Sequence, residues 1–215
     1  MFDYSLAHWS TFFTAVVLLT LAPGPDLAFI LGQTARGGRR AGLAAMVGIW
    51  SGAFVHVVMA ALGLSAILAT SALAFAVVKW AGAIYLFVLG FQALRSKDSG
   101  GSAWAGPTAA APASAAAVYR QGAIVAMLNP KTAVFFLAFL PQFVVPGAGP
   151  TSAQLFLHGS LIIAVAACIE PPLMLLGASL RHALAKNASL GAWLDRGLGA
   201  LFIGLGLRLA LSDGD

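Results

Sequence analysis

Long apolar stretches dominate this chain, and polar and apolar residues do not alternate within them. Six such stretches can be drawn, over residues 9–31, 42–68, 73–94, 122–145, 153–180 and 197–211. A helix needs about 20 apolar residues to cross about 30 Å of hydrocarbon, and barrel strands would instead alternate with a period of two. The pattern therefore predicts an all-α integral membrane protein with six transmembrane helices.

The composition agrees with a membrane protein. Hydrophobic residues make up 60% of the chain and charged residues only 9%, against roughly 25% charged residues in a soluble domain. The net charge of +5 does not indicate a nucleic-acid partner, because the basic residues fall in loops between the predicted spans. A single cysteine, Cys168, cannot form an internal disulfide. No metal site and no cofactor are predicted.

The basic residues predict the orientation. Nine of the twelve Lys and Arg follow the first, third or fifth predicted span: Arg36, Arg39, Arg40, Arg95, Lys97, Arg120, Arg181, Lys186 and Arg196. The positive-inside rule places that side in the cytoplasm. Both termini are then predicted on the periplasmic or extracellular side of the cell (inner) membrane.

A segment rich in Ala, Gly, Pro and Ser, residues 98–118, is predicted to be a flexible cytoplasmic linker. It divides the single membrane domain into an N-terminal half, 1–97, and a C-terminal half, 119–215. Each half holds three predicted spans, and the two halves have opposite orientations. PDLAFIL in the first half aligns with PKTAVFF in the second, which favours two inverted three-helix repeats.

Three charged residues lie inside predicted spans: Asp26, Lys131 and Glu170. Each is ten or eleven residues from a cytoplasmic arginine. That separation corresponds to about 15–16 Å of helix, or about half of a 30 Å hydrocarbon core. Charges at this depth cost several kcal/mol and usually mark a transport path.

Two of these charges follow predicted breaks in a helix. Pro23, Gly24 and Pro25 break the first span, because two N–H groups are missing and glycine is conformationally permissive. In the fourth span Asn129 is a typical N-cap, and Pro130 is a typical first helical residue. A helix that restarts in mid-membrane offers free N–H groups to an anion such as a carboxylate. The alternative is a structural proline kink in each span.

Asp26 and Lys131 occupy matching positions of the repeat with opposite charge. One interpretation is a buried ion pair that holds the two halves together. The other is a clamp for a zwitterion. In that clamp Asp26 or Glu170 meets an ammonium group, and Lys131 with Asn129 meets a carboxylate. A carboxyl group in so dry a setting could also exchange protons and couple transport to the proton gradient.

The second predicted span contains His56, Ser51 and two glycines. His56 could relay protons or could simply pack through a hydrogen bond. Ser51 lies five residues before it on the same helix, which does not suit the dyad of an intramembrane serine protease. Gly48 and Gly52 are spaced for close helix packing, and such glycine-lined spans would permit a homodimer.

Longer motifs identify a family. With PGPD in the first span, VHVVMAALGLSAIL in the second, KWAGAIYLFVLG in the third and NPKTAVFFLAFLPQFV in the fourth, the sequence resembles the LysE/RhtB family of amino-acid exporters. The resemblance implies a six-span inner-membrane carrier that exports amino acids or close derivatives in exchange for protons. It implies that the following residues are functionally important: Pro23, Gly24, Pro25, Asp26, Asn129, Pro130 and Lys131. Glu170 is less typical of the family, so its role rests on the argument from depth and charge.

The working hypothesis is a proton-coupled exporter of a small amino acid, with the lipid bilayer, protons and the solute as its partners. Two acids against one lysine favour a neutral zwitterion. An exporter of another small solute or cation is the alternative within transport. A membrane enzyme would need a nucleophile, a metal cluster or paired thiols, and the sequence offers none of these. A purely structural membrane scaffold is the remaining alternative.

Overall fold

The computed structural model describes residues 3–21, 24–64 and 114–186, together with individual positions between 76 and 94 and between 196 and 211. Within these residues all the regular structure is helical, which confirms the all-α class. The helices are α1 (Leu6–Leu21), α2 (Pro25–Met59), α3 (Ala115–Leu128), α4 (Pro130–Val134) and α5 (Thr151–Lys186). Pro23 lies outside the described residues, as do most of the third and sixth predicted spans and of the linker. The helix α3 includes residues 115–118, the end of the segment predicted as linker.

Two segments are long and apolar enough to cross a membrane, Pro25–Gly63 and Thr151–Gly177. A third span is possible if α3 and the segment Pro130–Phe143 are counted together, since they are bent by 53° at their junction. The described part of the chain thus contains two or three candidate spans. The six-span arrangement stays a prediction.

The predicted break before Asp26 is confirmed. The helix α1 ends at Leu21 and α2 begins at Pro25, with Gly24 as its N-cap in extended backbone. Proline suits the first helical position, because the N–H that it lacks would have no intrahelical partner there. The connection predicted around Arg36 is present but short, since non-helical backbone at Gly38 (φ 67°) separates two helical segments within α2. A left-handed residue of this kind is cheapest as glycine.

The helices α2 and α3 pack at close range through small residues. A Cβ added at Gly48 would overlap the carbonyl oxygen of Tyr119, and one at Gly52 would overlap the carbonyl oxygen of Ala123. From the other side, a Cβ at Gly122 would lie 2.8 Å from the carbonyl oxygen of Ala45. The predicted close packing is confirmed. These glycines serve contacts within one chain, so they give no support to a homodimer.

The beginnings of α1 and α5 are joined by a buried aromatic cluster that contains two histidines. Nε2 of His8 lies 2.8 Å from Nε2 of His158. Nδ1 of His158 lies 2.9 Å from the carbonyl oxygen of Gln154, so Nδ1 donates a hydrogen bond there and Nε2 accepts from His8. Phe12 and Phe143 pack against the His158 ring. The cluster connects the first half of the chain to the second at this end of the molecule.

The helix α5 does not break beside Glu170. Pro171 and Pro172 both lie inside it, although each proline removes one intrahelical hydrogen bond. Glu170 is therefore presented by a continuous helix, whereas Asp26 and Lys131 lie just after helix starts.

Candidate functional site

A cavity lies where the two helix breaks meet α1, α2 and α5. Its volume, measured for the centre of a water-sized sphere, is about 80 Å³. By that measure one water molecule needs about 10–15 Å³, so the cavity has room for several waters or one small solute. Residues from both halves of the chain line it.

The three charged residues predicted to lie at one depth all line this cavity. Asp26 and Lys131 are each the second residue of a helix, after Pro25 and Pro130, which brings them to the junction of the two breaks. Glu170 reaches the cavity from α5. The three groups lie close enough to interact electrostatically. Their expected convergence is confirmed, and their roles in binding and proton coupling stay predictions.

Within the described residues, only one of the two carboxylate oxygens of Asp26 has a hydrogen-bond partner. Its Oδ2 accepts a hydrogen bond of 3.1 Å from Oγ1 of Thr132. Its Oδ1 is buried and has no hydrogen-bond partner within the described residues. A residue that lines the cavity therefore carries a carboxylate oxygen without a hydrogen-bond partner in the described part of the chain. Thr132 was not among the predicted site residues.

Asn129 confirms the predicted N-cap and adds an open donor. Its Oδ1 accepts from the backbone N–H of Lys131 at 3.0 Å, and the residue is only 3% exposed. In the described part of the chain Nδ2 has no hydrogen-bond partner. An unpaired buried polar group costs about 1–3 kcal/mol, so this amide is suited to a ligand that accepts hydrogen bonds.

Glu170 is 7% exposed and is bonded by a residue that the sequence did not single out. Its Oε2 accepts a hydrogen bond of 2.7 Å from Nε1 of Trp50. Trp50 lies inside an apolar span, where an aromatic side chain is usually part of the packing. Its position between Gly48 and Gly52, the packing glycines of α2, is the signal in the sequence that could have indicated it.

Apart from Thr20, the rest of the cavity wall is apolar. Aromatic and aliphatic side chains from the second half face those of the first half, and the wall includes Phe135, Phe136, Ile162, Ile163, Leu19 and Ile49. Ligand sites of this kind combine an apolar wall with a few polar groups that set the orientation. The arrangement suits a small molecule with opposite charges at one end and an apolar group at the other.

His56 lies behind this wall and is not among the residues that line the cavity. It is buried, its Nε2 is 3.3 Å from the carbonyl oxygen of Ala126, and its ring stacks on Phe136. This geometry matches the packing interpretation, and proton relay stays a prediction. Gly24 lines the cavity, and a Cβ there would lie 3.2 Å from Nζ of Lys131. Within the described residues no cluster of His, Cys, Asp and Glu could hold a metal ion.

Known proteins resemble the chain over nearly its full length. An uncharacterized membrane protein of Pseudomonas aeruginosa is 32% identical over 207 residues, covering 93% of each chain. One of Vibrio cholerae is 30% identical, covering 94% of this chain and 96% of that one. A leucine efflux protein of Salmonella typhimurium is 26% identical, covering 97% of each. No solved structure matches the chain.

The family comparison covers most of the chain. The LysE type translocator family matches residues 17–213, a range that contains both helix breaks and all three charged residues of the cavity. This confirms the family resemblance that the motifs indicated. The chain belongs to the LysE type translocator family.

Proposed function

We propose that this protein is a secondary transporter, not an enzyme, and that it exports a small neutral amino acid in exchange for protons. The observation that carries the proposal is the cavity in which Asp26, Lys131 and Glu170 meet an apolar wall. Membership of a translocator family and likeness to leucine efflux proteins support export of an amino acid.

Each part of such a solute has a counterpart in the cavity. The free Oδ1 of Asp26 accepts from the ammonium group, and Nδ2 of Asn129 donates to the carboxylate beside Lys131. The aliphatic side chain lies against Phe135, Phe136 and other apolar residues of the wall. Two carboxyl groups against one lysine leave one acid for the coupling proton when a neutral zwitterion is bound.

The transport cycle follows from the proposed architecture. Six spans form two inverted three-helix repeats, 1–97 and 119–215, joined by the cytoplasmic linker. The solute binds near the middle of the cell membrane between the broken helices, and rocking of one half against the other alternates access to the two sides. Both termini lie on the periplasmic side in this arrangement.

Transport in everted membrane vesicles tests the proposal. We expect leucine to accumulate several-fold when the vesicle lumen, which corresponds to the periplasm, is made acidic, because protons leaving the lumen drive the solute in. Collapse of the pH gradient with an ionophore should abolish the accumulation. Lysine and arginine should accumulate far less, because the wall that faces the solute's side chain is apolar and offers no partner to their extra charge.

Two outcomes would contradict the proposal. No gradient-dependent accumulation of any amino acid in a full panel would defeat amino-acid export. The two carboxyl groups in one cavity also favour, as an alternative, a carrier for a small cation or another small solute. Accumulation of an inorganic cation in the same vesicles, without any amino acid, would establish that alternative.

A substitution at Asn129 separates the helix cap made by its Oδ1 from the proposed contact of its Nδ2 with the solute. Asn129→Ser keeps a side-chain oxygen that can cap the helix, since serine and asparagine are comparable N-caps, but removes the Nδ2 donor. A hydrogen bond to a charged group contributes about 1.5–3 kcal/mol, so we expect the half-saturating solute concentration to rise about tenfold. The melting temperature should change little. Initial uptake rates over a range of solute concentrations measure the effect.

Asn129→Ala provides the comparison, because it removes the cap as well as the donor. It should show the same loss of affinity together with a lower melting temperature. An unchanged half-saturating concentration in Asn129→Ser would show that the amide does not contact the solute.

A further inference from the structure

Each carboxyl group of the cavity is held by a neutral donor from the opposite half of the chain. Oγ1 of Thr132, from the second half, donates to Asp26 of the first half. Nε1 of Trp50, from the first half, donates to Glu170 of the second. Both bonds cross the boundary between the halves, but the two donors differ in what they can do when a proton arrives.

A threonine hydroxyl both donates and accepts, whereas the indole N–H only donates. The hydroxyl of Thr132 can therefore bond a carboxyl group as a donor or as an acceptor. Trp50 cannot accept, so its bond to Glu170 favours the charged carboxylate over the protonated acid. Removing the indole N–H therefore increases the share of Glu170 that is protonated at a given pH.

The other groups that act on Glu170 remain in place when Trp50 is changed. The charged residues that line the cavity with it are Asp26 from α2 and Lys131 from α4. Neither is bonded by Trp50 in the contacts described, so a change at Trp50 isolates one hydrogen bond from the surrounding charges.

We propose that Trp50 is a positioning residue that sets the pH range over which Glu170 takes up and releases the coupling proton. The inference rests on the proposed proton antiport and goes beyond it, because it assigns the proton to Glu170 and names the residue that adjusts its release. Asp26, whose Oδ1 has no hydrogen-bond partner within the described residues, is then left for the solute's ammonium group.

Infrared spectroscopy of the full-length protein in lipid tests this role directly. The carboxyl band that disappears in Glu170→Gln reports the protonated form of Glu170, and its pH titration needs neither solute nor gradient. In Trp50→Phe we expect the midpoint to move to higher pH by about one unit, a tenfold change in proton affinity. The pH profile of amino-acid uptake should move in the same direction.

Matched variants separate this role from a structural one. Trp9→Phe makes the same chemical change in the aromatic cluster at the start of α1, and it should leave the midpoint unchanged. Adding Trp50→Phe to Glu170→Gln should leave the remaining infrared carboxyl bands and their pH titration unchanged. If Trp50→Phe does not fold, replacing Trp50 with 3-benzothienylalanine keeps the shape of the ring and removes only the N–H.

The two failures can be told apart. An unshifted infrared midpoint in the Trp50 variants, with proton-driven export intact, would overturn the role of Trp50 alone. A wild-type protein whose export does not respond to the proton gradient would overturn the proposed antiport, whatever the titration shows.

Discussion

Asp26→Asn is expected to lower export of a zwitterionic amino acid by roughly 10- to 100-fold, the loss that follows from removing one hydrogen bond to a charged group. Asparagine keeps the size of the side chain and can still accept from Thr132, which donates to Oδ2 of Asp26 at 3.1 Å. What disappears is the negative charge that, in the proposed binding mode, faces the solute's ammonium group. Initial uptake rates in everted vesicles, normalised to the amount of folded protein, measure the loss.

Asp3→Asn is the matched control, because Asp3 is exposed and precedes α1. It should transport at the wild-type rate. Wild-type export in Asp26→Asn would show that the carboxylate of Asp26 is dispensable and would remove the ammonium partner from the proposed site.

The same residue also distinguishes the clamp from a structural ion pair. Removing one partner of a buried pair is strongly destabilising, whereas removing both charges is often neutral. If Asp26 and Lys131 only hold the halves together, the double variant Asp26→Asn, Lys131→Gln should recover both stability and export. If they bind the solute, the double variant should recover stability alone.

Gly52→Ala is expected to lower stability strongly, because the new methyl group would overlap the carbonyl oxygen of Ala123. Backbone atoms cannot move aside as a flexible side chain can, so α2 and α3 must separate. Inserting a methyl group into a packed interface costs typically about 1–3 kcal/mol, and packing is a main source of helix association in membranes. A lower melting temperature in detergent and less folded protein in the membrane would register the effect.

Gly63→Ala is the control for this prediction, since nothing lies within 4 Å of a Cβ at that position. Its melting temperature should match that of the wild type. Equal losses in Gly52→Ala and Gly63→Ala would show that the methyl group acts through something other than the α2–α3 contact.

Local features of the sequence predicted the elements that position the site. Asn129 and Pro130 combine an N-cap with a first helical residue, and the structure begins α4 there. Gly24 and Pro25 begin α2 in a similar way. Both predictions succeed because the missing N–H of proline, and at Asn129 also a capping oxygen, act within one turn of helix, whatever the rest of the chain does.

The partners of the charged residues could not be predicted in this way. Trp50 and Glu170 are 120 residues apart along the chain, and Thr132 and Asp26 are 106 apart. A tryptophan or threonine inside an apolar span has an ordinary structural explanation. Only the packing of the two halves brings these donors against the carboxyl groups.

The connection around Arg36 was predicted at the right place but was expected to be longer. Basic residues between two spans indicate the cytoplasmic side, but they do not set where a helix ends. Non-helical backbone at Gly38 separates the two helical segments of α2 there.

The sequence by itself determined the helical membrane class, the family and the two restarted helices, because each depends on residues that are near one another in the chain or on their hydrophobicity. A common depth for the three charges stays a prediction. The tertiary structure alone decided that Asp26, Lys131 and Glu170 share one cavity and that Trp50 and Thr132 bond the two acids. It also decided that the glycines of α2 are used against α3. These contacts join segments that are distant in sequence, and close packing, which local patterns do not encode, selects them.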